Sequence, residues 1–85
     1  MKYPGFAWRD IKQGFGYPRL ALNEELAKRE FGYEVNKEGG IMEYAPSDYE
    51  LYRIGTYDTD TGRMYPDDMV TFRINGRDVY GVNGK

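Results

Sequence analysis

The N-terminal segment of the chain alternates positively charged side chains with aromatic rings. Its cations are Lys2, Arg9, Lys12 and Arg19, and the rings among them are Tyr3, Phe6, Trp8, Phe15 and Tyr17. Nucleic-acid bases stack on aromatic faces for roughly 1 to 3 kcal/mol each, while cations follow the phosphates. The segment therefore has the composition of a surface that binds single-stranded nucleic acid.

The same residues also have a purely structural interpretation. In so small a domain Phe6, Trp8 and Phe15 can form the core, with the four cations on the solvated side. Both interpretations stay open at the level of sequence. In the binding interpretation, the predicted nucleic-acid contacts are Lys2, Trp8, Arg9, Lys12, Tyr17, Arg19 and, from a later strand, Arg53.

Charge is unevenly distributed along the chain, although the net charge is only -2. Residues 1–23 contain four basic residues and one acid, residues 24–68 contain five and twelve, and residues 69–85 contain three and one. The acidic middle fits a solvated surface, a mimic of DNA phosphates or a metal site. A solvated surface is the commonest of the three, since several of these acids fall on a predicted helix or in a loop.

The composition removes most catalytic chemistry. The chain has no cysteine and no histidine, which excludes disulfides, thiol nucleophiles, zinc ligation by either residue and imidazole acid–base catalysis. Ser47 is the only serine and lacks a base of the usual kind to activate it. No carboxyl group lies in an evidently apolar stretch that would raise its pKa for hydrolysis. We predict a protein that is not an enzyme and uses no cofactor.

Asp58 and Asp60 resemble the first ligands of a calcium-binding loop. The glycine arrives at the fifth position of this loop instead of the sixth, and Met69 occupies the twelfth, where a bidentate glutamate is needed. The pattern instead predicts a hairpin turn that starts at Asp58 and has Gly62 in the left-handed position.

Residues 46–62 are the most regular stretch, because a turn opener, an alternating strand and a turn closer follow one another. Side chains of a strand alternate between its faces, and here both faces carry apolar groups. Tyr49, Leu51 and Tyr57 share one face with Arg53, and Tyr52 and Ile54 share the other. The pattern predicts the central strand of the sheet, covered on both faces.

The other elements are built against this strand. A first hairpin spans residues 6–17 with Gly14 in its turn, and Pro18 either ends its second strand or places it at an edge. Asn23 caps a helix over residues 24–36, which Gly39-Gly40 terminates. A strand over residues 63–65 stops at Pro66. Asn75-Gly76 then predicts a type I′ hairpin between residues 69–74 and 77–82.

These elements define the fold class. The sequence predicts an α+β fold, a single domain over residues 1–85, in which an antiparallel β-sheet of hairpins carries one α-helix (about residues 24–36). No window approaches the roughly 18 apolar residues of a membrane span, so we expect a soluble, intracellular protein without membrane contact.

One extended pattern resembles a known family. Residues 46–62 read Pro-x-Asp-Tyr-x-Leu-Tyr-x-Ile-Gly-x-Tyr-Asp-x-x-x-Gly, and they follow Phe6-Ala7-Trp8-Arg9-Asp10, Gly14-Phe15, Pro18, Asn23, Arg29 and Phe31. Together these residues resemble the small nonstructural protein of gokushoviruses, the single-stranded DNA phages of the Microviridae. The match covers roughly residues 6–66.

The resemblance implies a phage accessory protein that is made in the bacterial cytoplasm and is absent from the mature capsid. Members of this family are commonly labelled DNA-binding or DNA-synthesis proteins. The expected function is binding of single-stranded DNA, or of a phage or host replication complex that carries it, during genome synthesis and packaging. The alternative is a protein-interaction module that uses its acidic surface or a sheet edge. Homodimerisation through edge strands is compatible with either function.

Overall fold

The chain forms one four-stranded antiparallel sheet with helices on one of its faces. The computed structural model describes residues 1–81. The strands are β1 (Lys2–Asp10), β2 (Gly14–Leu20), β3 (Tyr49–Asp58) and β4 (Arg63–Asn75); the helices are α1 (Glu24–Val35), α2 (Ile41–Tyr44) and α3 (Gly76–Val79), and a 3-10 turn covers Pro46–Asp48. The strand order is β2-β1-β3-β4, and each neighbouring pair is antiparallel.

The two hairpin turns form as predicted, because each has a side-chain acceptor at its start and a glycine near its end. The Asp10 carboxylate accepts a hydrogen bond from the backbone N–H of Lys12, and Gly14 adopts a φ of 115°. In the second turn Asp58 accepts from the N–H of Asp60 at 2.9 Å, and Gly62 adopts a φ of 74°. The interpretation of residues 58–62 as a hairpin turn is confirmed.

Helix α1 packs against the sheet through a small apolar core. Asn23 caps the helix by accepting a hydrogen bond from the N–H of Leu26 at 2.9 Å, and Glu24 and Glu25 occupy its first turn. Ala27, Phe31 and Val35 recur on one face of the helix and are buried. Against them the sheet places Phe6 and Leu51, while α2 contributes Met42.

Strand β3 lies in the interior of the sheet, as predicted, between β1 and β4. The expectation that both its faces are covered is wrong for residues 1–81. Leu51 is fully buried under the helices, whereas the opposite face carries Tyr52 beside two half-exposed phenylalanines, Phe15 and Phe72. The helices form a single layer. They cover only the face of the sheet that carries Phe6, Leu51 and Ile74.

The predicted C-terminal hairpin at Asn75-Gly76 does not form. Residues 69–74 belong to β4 and run beside β3, and residues 76–79 form helix α3. Asn75 caps this helix, since its side-chain oxygen accepts a hydrogen bond from the N–H of Arg77 at 2.9 Å. The backbone of Gly76 packs so closely on the Pro46 carbonyl that a β-carbon would overlap it. Asn75 therefore caps a helix and Gly76 makes a close backbone contact. Residue 82, the last of the predicted hairpin, lies outside the described residues.

Two further expectations are corrected. Within residues 1–81 the sheet carries three helices and a 3-10 turn, where a single helix was predicted. Strand β4 also continues past Pro66. Its pairing with β3 breaks there, because Gly55 lies opposite Pro66 whereas Arg53 lies opposite Thr71. Residues 67–70 form a bulge, so the break that Pro66 predicts is a loss of register and not the end of the strand.

Strand β2 is an edge strand, which is the second of the two outcomes predicted for Pro18. It pairs only with β1 in the described sheet and runs on to Leu20. Within residues 1–81, no helix is long and apolar enough to cross a membrane.

Candidate nucleic-acid interface

Trp8 and Arg19 form the centre of the candidate site. Trp8 lies on the helix-facing side of β1 and contacts Phe31 of α1 edge-on, with ring centroids 5.8 Å apart. Arg19 lies on β2 opposite Phe6, so it shares that side of the sheet. Its guanidinium carbon is 3.7 Å from the centroid of the Trp8 ring, which is a close cation–π stack.

A bulge in β2 brings Tyr17 beside this pair. Between Ala7 and Arg9 the pairing of β1 with β2 shifts by one residue, so Gly16 and Tyr17 together face the single residue Trp8. Bulges re-aim the side chains of the bulged strand. Tyr17 is 81% exposed here and lines the same groove as Trp8 and Arg19.

We call this groove, of about 350 Å³, the hairpin groove and define it by Trp8, Gly16, Tyr17, Arg19 and Tyr49; Asp10 and Phe15 also line it. A second hollow of about 320 Å³ adjoins it, since Trp8 and Arg19 line both. The second hollow adds Arg29 and Tyr33 from α1, together with Glu30 and Glu34. Rings and cations therefore continue from the hairpin groove onto the surface of the helix.

The electrostatics of the groove combine a free cation, a neutral phenol and the carboxylate of Asp10. Within residues 1–81, Arg19 takes part in no ion pair and keeps its donors for a ligand. Partial burial raises the pKa of Tyr49, and the nearby carboxylates of Asp10 and Asp48 raise it further. Tyr49 is therefore a neutral hydrogen-bonding wall of the groove at physiological pH.

The remaining predicted contacts lie elsewhere, and three of them are held by carboxylates. Arg9 lies on the uncovered face of the sheet, 2.9 Å from Glu50, and the hydrogen bond to Glu50 raises the pKa of its guanidinium. Lys12 pairs with Asp48 at 3.5 Å, and Arg53 with Asp67 at 3.1 Å. Lys2 lies towards the other end of β1, opposite Asp58. The structure thus brings together Trp8, Tyr17 and Arg19. Lys2, Arg9, Lys12 and Arg53 do not line the groove, although Lys12 lies near enough to Tyr49 to act on its pKa and Arg9 lies 6.0 Å from the centroid of the Phe15 ring.

The sequence interpretation missed a row of aromatic rings on the uncovered face of the sheet. We define the aromatic row as Phe15, Tyr52 and Phe72. The centroids of Phe15 and Tyr52 are 5.1 Å apart and those of Tyr52 and Phe72 are 5.8 Å apart, both edge-to-face. The first pair meets across β1, where the small side chain of Ala7 leaves room. The sequence pattern that could have revealed this row is the alternation of side chains in β3, because it points Tyr52 away from the core residue Leu51.

A hollow of about 550 Å³ lies on another side of α1 and is lined by no aromatic side chain among residues 1–81. Within the same residues, no group of three or more acidic, histidine or cysteine side chains could hold a metal ion. Rings and unpaired positive charge therefore coincide at the hairpin groove.

The fold defines this protein as a small α+β domain built on a four-stranded antiparallel sheet. The family model described as "Phage ORF5 protein" matches residues 3–79, and the chain belongs to this family. It is therefore a phage protein, and its family of accessory proteins is not a known enzyme family. No curated protein and no solved structure matches the chain significantly.

Proposed function

We propose that this phage protein is a non-enzymatic accessory factor that binds single-stranded DNA through the hairpin groove. The observation that carries the proposal is the meeting of Trp8, Tyr17 and Arg19 at one surface, with Arg19 free of ion pairs in residues 1–81. An exposed tyrosine offers a face for a base, and an unpaired guanidinium offers bidentate donors for a phosphate.

The resemblance to the small nonstructural protein of gokushoviruses supports the same proposal. It sets the action in the cytoplasm of a bacterial host, during synthesis and packaging of a single-stranded DNA genome of the Microviridae type. The ligand is then the genome itself or a replication complex that carries it. Binding is of modest affinity and non-sequence-specific, because stacking accepts every base.

A protein-interaction module, including a DNA mimic, is the second candidate, and a specific observation favours it. Three predicted phosphate contacts, Arg9, Lys12 and Arg53, already pair with carboxylates of their own chain. Their charge is less available to a polyanion, while the acidic middle of the chain remains a surface for a basic or polar partner.

A salt titration with labelled DNA separates the two functions. We expect fluorescence anisotropy of a short single-stranded oligonucleotide to rise on addition of protein, and the affinity to fall steeply as salt increases. Arg19→Glu should weaken binding at least tenfold at low salt, because it replaces the unpaired cation with an anion. Tyr17→Ala should weaken it severalfold, in line with about 1 to 3 kcal/mol for one stacked base.

Lys37→Glu is the matched control, because Lys37 is an exposed cation in the turn after α1, outside the groove. It changes the net charge as Arg19→Glu does, so an equal loss in both variants would show that net charge and not the groove determines binding. Absence of DNA binding by the folded wild-type protein at low salt would reject the first function and leave the second.

A further inference from the structure

The uncovered face of the sheet exposes apolar side chains to solvent. The strand registers place four rungs of side chains on it. The rungs are Tyr3-Tyr57-Met64, then Leu20-Gly5-Gly55-Pro66, then Pro18-Ala7-Tyr52-Phe72, and finally Phe15-Arg9-Glu50. Phe15 and Phe72 are 50% and 48% exposed, so the face is not closed by its own side chains.

Charge distinguishes this face from the hairpin groove. At the rung positions of the described strands, Arg9 and Glu50 are the only charged residues, and they pair with each other at 2.9 Å. The Tyr52 hydroxyl also donates to Glu50, at 3.4 Å. The face is therefore neutral and its one guanidinium is already occupied, so it offers little to the phosphates of a nucleic acid.

We propose that the uncovered face is the interface with a second copy of this chain, so that two sheets pack face to face. A two-fold dimer brings a face against an identical face. Because this face carries no net charge, the two copies do not repel each other electrostatically. Sheets that pack in this way lie about 10 Å apart and interdigitate their inner side chains. In the second rung Met64 packs over Gly5, and the backbone of Tyr65 and Pro66 packs against Gly55.

The size of the face lies at the lower end of the range for a specific dimer interface. Four strands about 4.8 Å apart, with nine residues of β1 rising about 3.3 Å each, span about 600 Å² per copy. Two copies then bury at most about 1,200 Å², the lower limit for a specific interface, because Gly5, Ala7 and Gly55 are already buried within one copy. The protomer is also thin, with a shortest principal dimension of 17 Å, and face-to-face packing gives its sheet the second cover that it lacks.

Pairing through the sheet edges fits the structure less well. Both edge strands carry a proline and a bulge, Pro18 with residues 16–17 in β2 and Pro66 with residues 67–70 in β4. Prolines and bulges are the devices that block the addition of another strand. The edges are therefore protected while the face is open.

Sedimentation equilibrium of the full chain, from micromolar to hundreds of micromolar concentration, tests the proposal. We expect the molar mass to approach twice the 9.9 kDa of one chain. Phe72→Glu should return it to the mass of one chain, because each copy would place an unpaired carboxylate in an apolar interface. Tyr44→Glu is the matched control and should leave the dimer intact, since Tyr44 is 87% exposed on α2, away from this face.

Phe15→Glu repeats the test from the opposite end of the aromatic row, and circular dichroism checks that each variant is folded. If neither variant folds, NMR spectra of the wild-type protein on dilution should shift mainly at the four rungs. A wild-type protein that is monomeric throughout overturns the proposal. A dimer that survives both substitutions, or dilution shifts confined to other surfaces, overturns it as well. A monomeric wild-type protein that loses its DNA affinity in Phe72→Glu would assign the face to nucleic acid instead; Phe15→Glu does not make this distinction, because Phe15 also lines the hairpin groove.

Discussion

At the scale of single residues, Asn36 connects the end of α1 to the last described turn of the chain. Its amide group donates to the carbonyl oxygens of Gly32, at 2.7 Å, and Val79, at 3.0 Å. Its side-chain oxygen accepts from the N–H of Gly81 at 2.6 Å. Asn36 is only 7% exposed, so water cannot easily replace these partners.

We therefore expect Asn36→Ala to lower the free energy of unfolding by about 2 kcal/mol, because it removes a buried amide and leaves the partly buried carbonyl of Val79 and N–H of Gly81 without this partner. Urea denaturation followed by circular dichroism measures the change. Asn23→Ala is the control, since it removes a single exposed capping bond and should cost about 1 kcal/mol. Equal losses in the two variants would contradict the role of burial.

Tyr49 gives the protein a predictable response to alkaline pH. Partial burial and then the carboxylates of Asp10 and Asp48 raise the pKa of its phenol above the ordinary value of 10.0. The folded state therefore retains a proton that the unfolded state loses, and the stabilisation is complete below pH 10 and disappears as the pH rises through the folded pKa.

Tyr49→Phe should remove this part of the pH dependence and have little effect at neutral pH, because the hydroxyl makes no hydrogen bond within residues 1–81. The check is the melting temperature of both proteins from about pH 8 to about pH 11, a range that spans the tyrosine pKa. Every other side chain is the same in both proteins, so its contribution cancels in the difference. If the melting temperatures of the two proteins change with pH in parallel over the whole range, this assignment is refuted.

At the scale of elements, local signals predicted those elements whose determinants are close in sequence. The turns at Gly14 and Gly62 and the start of α1 at Asn23 depend on side chains within a few residues. Asn75-Gly76 failed because the contact that determines it is distant. The approach of the Pro46 carbonyl leaves no space for a β-carbon, and nothing near Gly76 in the sequence reports this.

Gly76→Ala should consequently destabilise the protein by about 1 to 3 kcal/mol, as expected when an added group must displace backbone. Gly16→Ala is the comparison, because its β-carbon would lie 3.5 Å from the Trp8 carbonyl, an ordinary contact, and should change stability by less than about 1 kcal/mol. Thermal unfolding of the two variants compares them directly. A stable Gly76→Ala protein would show that the α3 junction can adjust.

The candidate site was predictable to the same extent. The alternation of side chains in the first hairpin predicted that rings and cations would lie close together. The bulge at Gly16 and Tyr17, which was not predicted, places Tyr17 in the groove. The ion pairs of Arg9 with Glu50 and of Lys12 with Asp48 could not be predicted, because these carboxylates lie more than thirty residues away in sequence. Which cations remain unpaired is a property of the tertiary fold.

At the scale of the whole molecule, the sheet separates two surfaces of different character. The side that carries the helices presents the hairpin groove with an unpaired cation, and the opposite side presents a neutral aromatic row, of which Phe15 also lines the groove while Tyr52 and Phe72 do not. The first suits a polyanion and the second suits an apolar partner. The two proposed activities should therefore be separable by single substitutions.

Two variants and two measurements test this separation. We expect Phe72→Glu to abolish dimerisation. The DNA affinity of each protomer should change less than about threefold, or about 0.7 kcal/mol, because Phe72 makes no contact with the proposed DNA site. Arg19→Glu should weaken DNA binding at least tenfold and leave the molar mass unchanged. Coupled losses, in which either substitution impairs both measurements while the variant stays folded, would mean that the two faces form one interface and that dimerisation assembles the DNA site.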